Sequence, residues 1–182
     1  MINPIVRIVV PILFKCTSRV RATASISKQL TAYMALAEKL TPEEGMKSVH
    51  VPGMPGVDED MRDWSFYMLL EHNVIVNRMF RLVVHRLVLD KDLSSMDKVD
   101  PKRDVMPSAA PGPEQVEAFR KSVEDYLEIV SKLPSLRGTS TRTHPLFGEF
   151  DAHSWHCMFG FHLNIHYKQA AFITRNASSD KC

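Results

Sequence analysis

Hydrophobic positions recur at three- and four-residue spacing in four long stretches of this chain, and strict two-residue alternation is absent. The first stretch runs from an apolar region at Pro4 to Phe14 (PIVRIVVPILF) through Ser25 to Leu40 (SISKQLTAYMALAEKL). Leu30, Met34 and Ala37 share a helical face there. Pro11 is the expected break within this stretch and Thr41-Pro42 its expected end. A loop with two prolines and two glycines, His50 to Asp60, follows.

The second helix is predicted to begin near Asp60 or Asp63, since acidic side chains suit a helix N-terminus. With no Gly or Pro to stop it, it runs to about Val88, and its apolar stripe is Ser65, Met68, Leu69, His72, Ile75, Val76, Met79 and Val83. Asp90 to Pro113 holds four prolines and many charges and is predicted to be a long crossover loop, a kind of segment that often carries function. A third helix starts after Pro113, with Val116, Phe119, Val123, Leu127 and Val130 as its stripe. Residues 134–150 read as a further loop. The fourth helix begins at Asp151, a good N-cap, with Phe150 and Trp155 spaced as a hydrophobic staple, and continues to about Arg175. Four long helices without a strand pattern predict an all-α four-helix bundle, one domain over residues 1–182.

The fourth helix carries an anomaly in its apolar seam. At about 100° per residue, Trp155, Met158, Phe159, His162, Ile165, His166, Gln169 and Ile173 lie on one side. That side is apolar except for two imidazoles and an amide, and a polar group facing a core needs a partner. His72 sits near the centre of the equally apolar stripe of the second helix. Histidines at i and i+4 can reach one ion, and an imidazole from a facing helix makes three nitrogen ligands with positions left open. The competing reading has each of them as a core histidine bonded to a carbonyl or hydroxyl. His153, His156 and Cys157 fall on other faces and are expected at the surface or against a loop.

Composition narrows the options. A net charge of +2, with no basic run interleaved with aromatics, gives no footprint for nucleic acid. Cys16, Cys157 and Cys182 are widely spaced and form no CxxC pair, which fits reduced thiols in a cytoplasmic protein rather than a disulfide framework or thiolate zinc site. Pro4 to Phe14 is too short to span a membrane and lacks a clear cleavage site, so it is expected to be a buried helix segment or packing arm, with no membrane partner.

Two segments go beyond periodicity. DWSFYMLLEHN (Asp63 to Asn73) resembles the second helix of the DinB/YfiT-like superfamily. HPLFGEFDAHSWHCMFGFHLNIHYKQ (His144 to Gln169) resembles its last core helix and the loop before it, and the HP-x-FG loop with the H-x3-H-x2-Q ending is similar to one branch. The resemblance implies an up-down-down-up bundle, often a homodimer, with a divalent metal, commonly nickel or zinc, on His72, His162 and His166. It also implies a metal-dependent enzyme, a transferase using a low-molecular-weight thiol or a hydrolase acting on a small molecule. The apolar N-terminal stretch is longer than that pattern leads one to expect.

Around such an ion, Gln169 is a candidate to hold a ligand histidine's second nitrogen, or else to bond loop backbone. Trp64 and Trp155 are candidates for the pocket mouth or for core. His144 could act as an acid or base, or brace the HPLFG turn. Glu71, Tyr67 and Tyr167 are weaker candidates. The alternatives to an enzyme are a non-catalytic bundle that binds a metal, ligand or partner, and a dimeric structural module joined through the N-terminal segment.

Overall fold

A computed structural model describes residues 4–91 and 103–178. Its elements are α1 (Pro4–Cys16), α2 (Arg19–Ala37), the short α3 (Pro42–Met46), α4 (Phe66–Val88), α5 (Glu114–Lys132), a hairpin of β1 (Arg142–His144) and β2 (Gly148–Phe150), and α6 (Ala152–Ala177). The all-α class holds, with the four long helices α2, α4, α5 and α6 forming the bundle.

Pairs of contacts along the helices give their directions. Thr23 reaches His156 and Gln29 reaches Asn164, so α2 and α6 run parallel. Phe80 packs on Trp155 while His72 packs on His166, so α4 runs against α6. Asn77 meets Ser122 and Arg81 meets Asp125, so α4 and α5 are parallel. Arg19 donates to the Val130 and Pro134 carbonyls while Tyr33 packs on Phe119, so α2 opposes α5. The order is up-down-down-up. Its parallel α4–α5 step explains why a crossover as long as 89–113 is needed: a parallel neighbour cannot be reached by a tight turn. Part of that predicted loop, residues 92–102, lies outside the described residues.

Local chemistry sets the helix ends. Asp151 caps α6 through a bond from Ser154 N, and Phe150 meets Trp155 edge-on at 5.8 Å, the staple expected from sequence. Thr41 and Glu44 form a reciprocal capping box on α3 with Pro42 in its first turn, so Thr41-Pro42 starts a short helix as well as following the first long one.

Three boundaries differ from the sequence expectation. The first stretch breaks at Thr17-Ser18 rather than Pro11, because Ser18 Oγ accepts from Arg21 N and caps a new helix. The second helix starts at Phe66 rather than near Asp60 or Asp63. Ser65 is its cap, while Asp63 is turned to His50 at 2.7 Å and residues 59–61 form a single 3-10 turn. The stretch before the last helix is not all loop: Thr143 pairs with Glu149 in the hairpin, whose strands of three residues are too short to show alternation.

The fourth correction concerns burial. His153, His156 and Cys157 are buried rather than at the surface, because α1, the start of α2 and, at His156, Tyr126 of α5 cover that side of α6. The other alternative, contact with a loop, holds for His153, which meets Thr17 and Arg137. His153 Nε2 lies 2.9 Å from the Thr17 carbonyl and 2.8 Å from Arg137 Nη2. His156 is held between Thr23 Oγ1 (3.0 Å) and the Tyr126 hydroxyl (2.9 Å). Burial pushes the Cys157 thiol up to about 12. The central layer is aromatic, with Tyr126 stacked on Phe159 at 3.9 Å and Tyr33 against Phe119.

Candidate metal centre

The apolar seams of α4 and α6 face each other, and their polar exceptions meet. His72, nearly two turns into α4, lies with its ring 4.7 Å from that of His166 and 5.4 Å from that of His162. His162 and His166 stand one turn apart on α6 with rings 4.6 Å apart. One ring nitrogen from each falls within 4.8 Å of the others, a grouping that could hold a metal ion.

Hydrogen bonds fix the state of two of these rings. His72 Nδ1 lies 2.7 Å from the Val105 carbonyl, which only accepts, so Nδ1 carries the proton and Nε2 carries the lone pair. That Nε2 is buried and has no hydrogen-bond partner among the described residues. Gln169 Nε2 donates to the Met61 carbonyl at 2.7 Å, which turns Oε1 toward His166 Nδ1 at 2.9 Å. His166 Nδ1 must then donate, leaving its Nε2 as the basic nitrogen. His162 Nδ1 is likewise buried and unpaired.

Burial is the main influence on the charge of all three. It lowers His72 to about 3 and His166 to about 4, and takes His162 well below the ordinary value, with the neighbouring imidazoles adding to the effect on His72 and His162. The rings are therefore neutral near pH 7, the form that binds a cation. Unpaired buried nitrogens on neutral, oriented imidazoles fit a divalent ion.

The other candidates separate by position. Gln169 is fully buried and takes both roles considered for it, holding His166 and bonding loop backbone. Trp64 packs on His72 at 5.1 Å and borders the cluster directly. Trp155 lies one ring further out, against Phe80, whose own ring is 5.8 Å from His162. His144 accepts from Leu146 N at 3.1 Å and packs on Phe147, Phe150 and Trp155, so it braces the hairpin turn. Glu71 accepts from the backbone and hydroxyl of Ser108, anchoring the loop rather than reaching the histidines. Tyr67 lies under α3 at Gly45, and Tyr167 packs on Tyr33.

Val105, Met61 and Phe80 complete the surroundings and were not singled out from sequence. Phe80 carried a signal, lying eight residues after His72 and so only about 80° from it around the helix. Val105 and Met61 contribute only carbonyls, which leave no mark in a sequence.

A sequence model of the DinB superfamily matches residues 26–170, and the chain belongs to that superfamily. The matched span takes in all three histidines, Trp64 and Gln169, while α1 lies outside it. No curated protein and no solved structure matches the chain.

Proposed function

We propose that His72, His162 and His166 hold one divalent ion, nickel or zinc, and that the protein is a metal-dependent enzyme acting on a small molecule by hydrolysis or thiol transfer. The observation that carries this reading is the convergence of three neutral imidazoles from two helices, with His72 Nε2 and His162 Nδ1 buried and without a hydrogen-bond partner among the described residues. Three nitrogen donors suit borderline first-row ions and leave positions open for water or a small thiol. Such an ion, when bound, lowers the pKa of a coordinated water or thiol.

The chain's own residues hold and orient. The Val105 carbonyl and Gln169 each keep a proton on Nδ1 of their histidine, so the opposite nitrogen is the one presented. Trp64 and Phe80 keep the rings in an apolar setting that favours their neutral form.

The test is elemental analysis of the purified wild type and of His162→Ala/His166→Ala, before and after equilibration with nickel or zinc. Wild type should hold about one divalent ion per chain and the double variant essentially none. A wild type that neither contains metal nor takes it up would sink the proposal and favour histidines retained for packing.

A further inference from the structure

α1 attaches to the bundle by a narrow strip. Val10 and Phe14 are buried, Phe14 lying against Phe150 and Phe161 at 5.7 and 5.9 Å. Its opposite side carries Ile8 (65% exposed), Val9 (42%), Ile12 (54%) and Leu13 (56%). This departs from the buried helix segment, one of the two sequence expectations, while the strip at Val10 and Phe14 fits the other, a packing arm. Large aliphatic side chains grouped on one helix face signify an interaction surface, whereas scattered ones do not.

Charge indicates what covers it. Residues 1–37 contain Arg7, Lys15, Arg19, Arg21 and Lys28 and not one Asp or Glu. Arg19 is engaged with the carbonyls at the end of α5, whereas Arg7, Lys15, Arg21 and Lys28 are exposed. On the helical wheel Lys15 borders the apolar face of α1 beside Ile8, and Arg7 lies about 80° beyond it, next to Phe14. A second copy placed face to face would set this basic stretch against its own like. An anionic lipid surface would pair with it and also accept the aliphatic face. No helix among the described residues is long and apolar enough to cross a membrane, and a helix lying in the interface plane does not need to be.

We infer that α1 is a membrane-surface helix that seats the bundle on anionic lipid through Ile8, Val9, Ile12 and Leu13, with Lys15 at headgroup level beside them. The attachment strip at Val10 and Phe14 faces the other way, so seating leaves the contacts of α1 with α6 intact.

The full chain is tested by flotation with vesicles of phosphatidylcholine plus phosphatidylglycerol and with phosphatidylcholine alone, at low and high salt. Wild type should float with the anionic vesicles, more at low salt. Ile8→Asp/Ile12→Asp should weaken flotation by about tenfold or more while keeping the wild-type circular dichroism, since both side chains are exposed. Lys15→Glu, which leaves every apolar contact in place, should weaken the preference for anionic vesicles. Absence of wild-type flotation, or flotation unchanged in both variants, overturns the inference. So does a wild-type dimer in sedimentation that fails to float and that Ile8→Asp/Ile12→Asp converts to monomer, since the covering partner is then a second copy.

Discussion

His166 Nδ1 donates to Gln169 Oε1 at 2.9 Å, within one turn of the same helix, and the amide is itself locked by the Met61 carbonyl at 2.7 Å. A carbonyl can only accept, so the amide cannot be reversed without losing a buried bond. The imidazole tautomer is thus set through a backbone carbonyl of the segment between α3 and α4, the same segment whose Trp64 packs on His72.

Gln169→Leu should therefore separate orientation from ligation. It removes the acceptor for His166 and leaves the Met61 carbonyl unpaired, which should lower stability by ~1–3 kcal/mol. Metal affinity should fall by about 10- to 100-fold with all three histidines still present. Competition titration with a chromophoric chelator reads the affinity and urea unfolding reads the stability. Unchanged affinity would show that His166 needs no orienting partner.

Acid stability should report His156, well away from the cluster. Burial is the main reason its value falls to about 4 in the folded protein, below the ordinary 6.5 that the unfolded chain keeps. Between those values the unfolded chain binds a proton that the folded one does not. Stability from this group is therefore complete above pH 6.5 and declines as pH falls toward 4, by about 1.4 kcal/mol per pH unit at most. His156→Gln, which keeps polar contact without titrating, should flatten the decline in urea midpoints between pH 7 and 5. An equal slope in the variant would place the acid sensitivity elsewhere.

Gly45 should tolerate no side chain. A Cβ there would stand 2.3 Å from Tyr67 Cζ, so Gly45→Ala must displace the ring. A loss of ~1–3 kcal/mol is expected in urea unfolding. Gly53→Ala is the matched control, since a Cβ at Gly53 meets nothing within 4 Å. Comparable losses at both positions would mean that backbone freedom, not the close contact, accounts for the effect.

Much of the candidate site could be read before any coordinates. His162, His166 and Gln169 share a seam because 100° per residue puts them there, and His72 stands in the stripe of α4 for the same reason. The Asp151 cap and the Phe150–Trp155 staple were legible too, being settled within five residues of chain. Even so, the stripe read for α4 was too narrow. That helix packs on both α5 and α6, so Asn73, Phe80 and Leu87 are buried as well.

Helical periodicity, then, fixed which side chains travel together, since it depends only on residue order and the turn of the helix. It did not show that His72 comes within reach of His162 and His166, because that depends on two helices ninety residues apart choosing each other's faces. Nor did it indicate that the Val105 and Met61 carbonyls set the tautomers, since every residue has a carbonyl and only packing aims it. The burial of His153, His156 and Cys157 was likewise a matter of packing. His153 and Cys157 are core because α1 folds back over the far side of α6, a contact spanning some 140 residues of chain, and His156 because Thr23 of α2 and Tyr126 of α5 close over it. The same fold leaves the other face of α1 in the open.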